Sequence, residues 1–307
     1  MSKIYNVLDY NYIKESAIDV GFDLVGITQP REFEVNRIAF EEWIESGRAD
    51  NLPYMSRYMD ARFNPAALLD NTRSVVVCAL NYKNQFSCSQ SMSDRPKIAS
   101  YALARDYHKV IRKMLKALLL KLQAAHPSLR GRCCVDTAPL LEKQLALEAG
   151  LGWIGRQSLL ITPQFGSFVL LGVLLIDDVA SLYDSATQGV GCAECRRCIE
   201  NCPSGAIGDK RTVDSRKCIS ALTVECDNPQ GEELHGWIFG CDECQNCCPY
   251  NHHTPLATNP SIQPLFTPLA KEKWCSMTPE EFAEQLGATP LKRGGLERLQ
   301  GNCEILF

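Results

Sequence analysis

The chain reads Cys192-Ala-Glu-Cys195-Arg-Arg-Cys198-Ile-Glu-Asn-Cys202-Pro203 at the start of one short stretch and Cys241-Asp-Glu-Cys244-Gln-Asn-Cys247-Cys248-Pro249 at its end. Cys218 lies between these two runs. In the first run three cysteines follow one another at intervals of three positions, and the fourth stands directly before a proline. Three thiolates at this spacing wrap a tight loop around one metal centre, whereas the fourth, where the loop ends, points away from it.

This spacing is the C-x2-C-x2-C-x3-C-P run that holds [4Fe–4S] clusters in bacterial iron–sulfur proteins. The second run repeats it if Cys247 is skipped, and the fourth cysteine of a run binds the other cluster where two are present. We therefore expect one cluster on Cys192, Cys195, Cys198 and Cys248, and the other on Cys202, Cys218, Cys241 and Cys244. The alternatives are a structural zinc site, which rarely uses this spacing, or disulfides.

The composition is that of an ordinary soluble protein, with 45% hydrophobic and 22% charged residues among 307. No apolar run of membrane-spanning length occurs, and the N-terminus lacks a secretory pattern, so we expect a cytoplasmic protein. Sixteen cysteines in such a protein indicate metal ligation in a reducing compartment. A net charge of −4 gives no overall attraction to nucleic acid, but phosphate binding depends on local clusters.

Helices and strands are mixed in the region before the cysteine runs, which predicts an α+β fold. The periodicity predicts helices at 8–20, 34–46, 106–125 and 139–149, and strands at 22–28, 74–80 and 131–137. Segments 158–162 and 167–177 are expected to form a β-hairpin. We predict three units: an α/β-type first domain (1–178), a bacterial-ferredoxin-like two-cluster domain (179–255), and a short C-terminal helical segment that packs on the core (256–307).

Two motifs that would identify the cofactor accepting the electrons are matched only in part by this sequence. The segment Gly150-Leu-Gly152-Trp-Ile-Gly155 has the letters of a dinucleotide fingerprint, but it follows a helix and precedes a strand, the reverse of the required context. Asp106-Tyr-His108 is similar to the start of the D-x-H-x-x-G motif of cobalamin-binding proteins, but Ile111 stands at the glycine position. We interpret His108 as an ordinary polar group near a helix start.

Asp136 is the first candidate for an acid–base residue. It stands at the end of a predicted strand and directly before a predicted helix, where a carboxylate is often simply a cap. The functional interpretation is a proton donor in a partly desolvated pocket, its pKa raised by burial. Glu142, near the start of the same helix, is the second candidate, at a position more typical of a solvated helix surface.

Taken together, several segments resemble the epoxyqueuosine reductases, a queuosine tRNA-modification family related to cobalamin-dependent reductive dehalogenases. The resemblance spans residues 8–300, in matching order. It is carried by Arg105-Asp-Tyr-His-Lys-Val110, Val135-Asp-Thr-Ala-Pro-Leu-Leu-Glu142, Gly150-Leu-Gly-Trp-Ile-Gly155, the run from Cys192 to Pro203, Arg216-Lys-Cys218-Ile-Ser220 and Gly240-Cys241-Asp-Glu-Cys244.

The resemblance implies a cobalamin-binding catalytic first domain, with the cobalamin base-off and re-reduced through the two clusters. It implies reduction of epoxyqueuosine to queuosine at the wobble position of a tRNA anticodon, the final step of queuosine biosynthesis, with Asp136 as the proton donor. It also implies an external low-potential electron donor and no membrane, and we expect a monomer. The cofactor contacts expected from it are Arg62, Asp136, Trp153, Gly155, Gln157, Ser158 and Ser220.

Three features depart from the family pattern. Arg156-Gln-Ser158 stands where members usually carry Lys-Asn-Thr, and Cys247 makes the register of the second cysteine run ambiguous by one position. Longer members continue into helical repeats, so we expect a short form without them. Contacts with tRNA phosphates would then come from basic groups of the core, for which a solvated surface is the alternative. The candidates are Arg196, Arg197, Lys292, Arg293 and Arg298.

Two other functions are considered. A corrinoid iron–sulfur reductive dehalogenase would act on a small molecule, but respiratory members usually begin with a twin-arginine export signal, which this sequence does not show. A ferredoxin with an accessory domain would carry electrons without catalysis and would bind no cobalamin.

Overall fold

The computed structural model describes residues 7–88, 95–187, 191–226 and 234–306. Residues 188–190 and 227–233 of the predicted cluster domain therefore lie outside the described part. The strands are β1 (Val7–Leu8), β2 (Leu24–Thr28), β3 (Ser74–Asn81), β4 (Lys97–Ile98), β5 (Gly131–Cys134), β6 (Trp153–Ile154), β7 (Leu160–Ile161), β8 (Val169–Ile176), β9 (Val179–Ala180) and β10 (Trp237–Phe239).

Helices surround these strands along the whole described chain. They are α1 (Tyr10–Asp19), α2 (Glu34–Glu45), α3 (Met59–Phe63), α4 (Tyr107–Ala125), α5 (Glu142–Glu148), α6 (Arg197–Glu200), α7 (Ile219–Glu225), α8 (Glu243–Asn246), α9 (Lys271–Ser276), α10 (Pro279–Leu286) and α11 (Leu291–Ile305). The last of these is two helical pieces joined at Gly295, whose φ of 75° is a conformation that glycine adopts without strain. In the described residues no helix is long and apolar enough to span a membrane.

A four-stranded antiparallel sheet in the order β2-β3-β8-β5 forms the centre of the first region. Every residue of β3 is buried, which confirms the buried strand predicted from its continuous apolar run. Alternate residues of β3 enter two different cores: Val76 and Cys78 face one with Ile111 of α4, and Val75 and Val77 face the other. Helices on both faces of the sheet give the α+β fold that the sequence predicts.

The predicted β-hairpin is confirmed only at its turn, where Thr162 and Gly166 form an antiparallel bridge, and the two flanking segments do not pair with each other as strands. Strand β7 pairs with β6, whereas β8 pairs with β3 on one side and β5 on the other. The reason is that residues 173–176 of β8 are all buried, so this strand needs neighbours on both edges. Helix α5 also begins at Glu142 rather than at Pro139, because residues 135–141 form a loop.

The cysteine-bearing region and the C-terminal helices are packed against the first region. Strand β10 pairs in parallel with β4, and β1 pairs in parallel with β9. A third core joins Leu103 to Phe239 of β10 and to Trp274 and Leu299 of the C-terminal helices. The C-terminal helices thus pack against the cysteine-bearing region. The domain boundaries at 178 and 255 stay predictions.

Candidate active site

A cavity of about 1590 Å³ separates the first region from the cysteine-bearing region. Asp136, which follows β5, lies on its wall together with His108 from the first turn of α4. The lining also includes four cysteines: Cys202, Cys218, Cys241 and Cys244. The cavity therefore brings a candidate acid and candidate cluster ligands to one space, although they are far apart in the sequence.

His108 stands between two carboxylates. Its Nε2 lies 2.9 Å from Oδ2 of Asp136, and its Nδ1 lies 2.8 Å from Oδ1 of Asp106. Asp106 is also the N-cap of α4, because its side chain accepts a hydrogen bond from the backbone N–H of His108. The interpretation of His108 as an ordinary polar group misses this arrangement, because the partner carboxylate of Asp136 lies 28 residues away.

The charges of this group place its proton on the histidine. Burial lowers the pKa of His108, but hydrogen bonds and charges of Asp136 and Asp106 raise it overall above its ordinary value. Burial raises the pKa of Asp136, yet its hydrogen bond and charge interaction with His108 lower it overall, with smaller contributions from Arg293 and Tyr107. The expectation that burial would leave Asp136 with a raised pKa is therefore wrong, because the hydrogen bonds and charges of His108, Arg293 and Tyr107 together outweigh desolvation.

Glu142 is half-buried and lines the cavity, so it does not lie on the outer surface of its helix. Its Oε1 accepts a hydrogen bond of 2.8 Å from the backbone N–H of Asp136. Burial, followed by the charge of Asp136, raises the pKa of Glu142 to about 8. The prediction of a solvated helix position is therefore wrong. A glutamate that closes the Val135–Glu142 segment on itself gives no periodic signal, so sequence patterns alone do not reveal it.

The predicted cofactor contacts fall into two groups. Arg62, Gln157, Ser158 and Ser220 line the cavity with Asp136, whereas Trp153 and Gly155 are not among its described lining residues. Gly155 acts indirectly, because a Cβ there would come within 2.3 Å of Oε1 of Gln157. The Nε of Arg62 and the Nε2 of Gln157 are buried and have no hydrogen-bond partner among the described residues. These two donors fit a large polar ligand in the cavity.

The first predicted set of cluster ligands lies together in the structure. Burial, followed by the charges of Cys192, Cys198 and Cys195, raises the pKa of Cys248 to about 11. Cys198, at α6, is buried and interacts electrostatically with Cys192 and Cys195. The structure thus brings these four thiols together, and none of them is among the described residues that line the cavity.

The second predicted set lies at the cavity wall. Burial, followed by the charges of Cys241 and Cys218, raises the pKa of Cys244 well above its ordinary value. Cys218 interacts in turn with Cys202. Cys247 lies between the two sets, since its Sγ donates to the carbonyl oxygen of Cys244 at 3.6 Å and it interacts electrostatically with Cys198. In the described chain no three His, Cys, Asp or Glu side chains are placed to hold a single metal ion.

Several predicted phosphate-binding residues are already paired within the protein. Arg196 lies 2.7 Å from Asp209, Arg293 lies 2.7 Å from Glu225, and the guanidinium of Arg298 donates to the carbonyl oxygen of Val224. Lys292 instead lines the cavity, and Arg197 is exposed at the start of α6.

Besides Lys143, whose Nζ donates to the carbonyl oxygen of Ser158, five further exposed cations line the cavity with Lys292, and in the described residues none of these six has an ion-pair partner. They are Arg57, Lys109, Arg112, Lys210 and Arg211. The cationic part of the cavity thus comes from four separate segments of the chain.

Two family models match the chain. One, described as epoxyqueuosine reductase QueG, DUF1730, matches residues 62–137, and the other, a 4Fe-4S double cluster binding domain, matches residues 191–251. An epoxyqueuosine reductase of Cyclobacterium marinum is 36% identical over 301 residues, covering 96% of this chain and 95% of the relative. One of Escherichia coli K12 is 37% identical over 303 residues, covering 95% of this chain and 79% of the relative.

Solved structures share the fold. An epoxyqueuosine reductase with an epoxyqueuosine-modified tRNA-Tyr stem loop has a TM-score of 0.88 at 24% identity, covering 96% of this chain and 80% of that one. The Bacillus subtilis epoxyqueuosine reductase, with its catalytic loop swung out of the active site, has a TM-score of 0.87 at 24% identity and the same coverage. The catabolic reductive dehalogenase NpRdhA is more distant, with a TM-score of 0.50 at 18% identity, covering 78% of this chain and 31% of that one.

Proposed function

The chain belongs to the epoxyqueuosine reductase family, an oxidoreductase family, and we propose that it reduces epoxyqueuosine in tRNA to queuosine. The reaction converts an epoxide to an alkene, consumes two electrons and two protons, and releases water. One observation carries the proposal: a single cavity is lined both by the four cysteines of one predicted cluster and by the Asp136–His108 pair. Electrons and protons can therefore be delivered to the same part of a bound substrate.

We propose that cobalamin occupies this cavity, base-off. The fit rests on the volume of about 1590 Å³ and on the buried, unpartnered donors of Arg62 and Gln157. Ser158 and Ser220 would add hydroxyl groups, and Gly155 would keep Gln157 in place. When bound, cobalamin supplies a strongly reducing cobalt centre that can donate electrons to the epoxide.

The two cysteine sets support an ordered route for electrons. Cys202, Cys218, Cys241 and Cys244 line the cavity and would hold the inner cluster. Cys192, Cys195, Cys198 and Cys248 would hold the outer cluster, which receives electrons from an external low-potential donor. The register with Cys248 as ligand is supported by its electrostatic contact with all three other thiols of its set.

In this proposal Asp136 protonates the departing oxygen, and His108 supplies the proton. An alkoxide is a poor leaving group, so a positioned acid accelerates C–O cleavage. The resting proton lies on His108, whose Nε2 is 2.9 Å from the Asp136 carboxylate. Asp136 takes this proton and delivers it to the oxygen, and the second proton follows the same route after solvent has reprotonated His108. Asp106, 2.8 Å from Nδ1, stabilises the imidazolium and fixes the ring orientation.

We propose that the tRNA anticodon arm approaches the cavity over its cationic lining. The six exposed cations named above can contact phosphates without first breaking an ion pair within the described chain. Lys292 belongs to both the predicted and the observed set. Arg196, Arg293 and Arg298 are less suited, because each already binds a carboxylate or a carbonyl oxygen.

The proposal also includes a cytoplasmic location, since tRNA is the proposed substrate, and an active monomer. The monomer is supported by the fact that one chain supplies the proton donor, the cavity and all eight proposed cluster ligands.

The test is turnover of the natural substrate. Anaerobically reconstituted protein with cobalamin and a chemical reductant is incubated with tRNA that carries epoxyqueuosine, and the digested nucleosides are analysed by mass spectrometry. We expect conversion to queuosine only when cobalamin, clusters and reductant are all present. Unchanged epoxyqueuosine with fully loaded protein would overturn the proposal.

A further inference from the structure

The segment that carries Asp136 is held in an unusual backbone conformation. Residues 135–141 form a loop between β5 and α5, and Asp136 has a φ of 43°, in the left-handed region. Non-glycine residues adopt this region only when their surroundings impose it, although Asp tolerates it better than most. The contacts of this loop therefore decide whether the Asp136 carboxylate faces the cavity.

Glu142 makes the contact that bears directly on this backbone. Its Oε1 accepts the Asp136 N–H at 2.8 Å, across six residues. It does not cap its own helix through this contact, since α5 begins after Leu141 without a side-chain cap. A side chain at the start of a helix that instead reaches back to the preceding loop ties the loop to a fixed element.

The other contacts of the loop are of a different kind. His108 binds the carboxylate of Asp136, the group that must take up and release a proton during the reaction. Thr137 donates only to the carbonyl oxygen of Val135 within the loop, and Leu140 is buried. Glu142 binds the backbone, so it can hold Asp136 in place while the carboxylate changes partner.

In the related Bacillus subtilis enzyme, the catalytic loop has been observed swung out of the active site. We propose that Glu142 is the positioning residue that selects the inward position of the Asp136 loop in this chain. It acts by accepting the Asp136 backbone N–H and not by donating a proton to substrate. The inference rests on the proposed role of Asp136 as proton donor.

Two substitutions of Glu142 separate the effect of its side-chain length from the effect of its charge. Glu142→Gln keeps the length of the side chain and an oxygen that accepts the N–H, whereas Glu142→Asp keeps the carboxylate but shortens its reach by one methylene. Hydrogen exchange of the peptide containing 135–141, measured on reconstituted protein, reports loop opening without any need for turnover.

We expect Glu142→Asp to accelerate exchange of this peptide roughly tenfold and to lower kcat by a similar factor. Glu142→Gln should stay within about twofold of the wild type in both measurements. Wild-type exchange in Glu142→Asp, or a larger defect in Glu142→Gln than in Glu142→Asp, would overturn the proposal. Because exchange is read without substrate, failure of the positioning role is distinguishable from failure of the proposed reaction.

Discussion

At the scale of single residues, the feature that matters most is the proton held between His108 and Asp136. An aspartate at a strand end is an ordinary carboxylate until a histidine is placed 2.9 Å from it. The pair then behaves as one unit: the pKa of Asp136 is lowered while that of His108 is raised. In the proposed mechanism, proton supply to the substrate depends on both residues, and each can be tested separately.

We predict that Asp136→Asn lowers kcat by about 10²–10⁴-fold, because the amide cannot pass the His108 proton to the substrate oxygen. Cobalamin binding should be retained, since Arg62 and Gln157 are unchanged. Rapid-quench turnover and the visible spectrum of bound corrinoid measure the two effects. Undiminished turnover would return Asp136 to the role of a loop residue.

The pH dependence of turnover should carry an alkaline limb set by His108. The groups that face His108 are Asp136, Asp106 and Tyr107, with Glu142 beside them. Because the folded-state pKa of His108 is raised, its proton is fully present below the unfolded value and is lost as pH rises through the folded value. We therefore expect kcat to fall as pH rises through that raised pKa.

The matched variant for this pH profile is His108→Gln. Glutamine can still reach Asp136 but carries no titratable proton, so the limb should vanish and kcat should be low across the range. An unchanged alkaline limb in this variant would assign it to another group, such as Glu142.

At the scale of elements, α4 contributes more than a buried face. One carboxylate oxygen of its N-cap, Asp106, accepts hydrogen bonds from both the backbone N–H and the Nδ1 of His108. The same carboxylate therefore caps the helix and contacts the imidazole that holds the proton. The start of this helix was predictable from sequence because capping is local.

Asp106→Ala should destabilise the fold by about 0.5–2 kcal/mol, because it removes the helix cap, and should also reduce turnover. Asp106→Asn keeps a side-chain oxygen for the cap but removes the charge. Asp106→Asn should have the same free energy of unfolding as the wild type, but the pKa of its His108 should be lower than in the wild type. Urea denaturation and the pH profile of kcat measure the two effects, and equal stability of both variants would contradict the cap role.

The elements predicted with success are those whose pattern is set locally. The amphipathic helix at 106–125 and the buried strand at 74–80 both lie where periodicity places them. The hairpin prediction failed beyond its turn because strand pairing depends on which partners bury both edges of β8, and that is a property of the sheet.

At the scale of the whole molecule, the two cysteine sets differ in their relation to the cavity. Only the set containing Cys218 lies on the wall of the cavity among the described residues. If this set holds the inner cluster, then its loss should disconnect the cavity from the electron donor without removing the outer cluster.

We predict that Cys218→Ala retains about four irons per chain instead of about eight. A low-potential donor should still reduce the remaining cluster, while bound corrinoid should no longer be reduced through it. Electron paramagnetic resonance and the corrinoid spectrum measure these outcomes. Cys275→Ala, at an exposed cysteine of α9, is the control that should keep all eight irons. Corrinoid reduction at the wild-type rate in Cys218→Ala would contradict the order of the clusters.

The cationic lining predicts a salt-dependent affinity for RNA. Replacing Lys210 and Arg211 with glutamine should weaken binding of an anticodon stem loop and lower the slope of log K against log salt by roughly 0.7 to 0.9 for each phosphate that is no longer neutralised. Arg196→Gln is the comparison, because that charge is already paired with Asp209. Fluorescence anisotropy at several salt concentrations measures both. A larger effect from Arg196 would favour the interpretation made from sequence alone.

The sequence alone predicted the two cysteine sets and the position of Asp136 near a strand end, because each depends on spacing within one short segment. It interpreted His108 as an ordinary polar group and offered Glu142 only as the second acid candidate, at a position more typical of a solvated helix surface. Tertiary structure decided that His108 meets Asp136 across 28 residues, that Glu142 lines the cavity, and that one cysteine set borders the cavity. The physical reason is that these contacts arise from packing between elements distant in the chain, which local patterns do not encode.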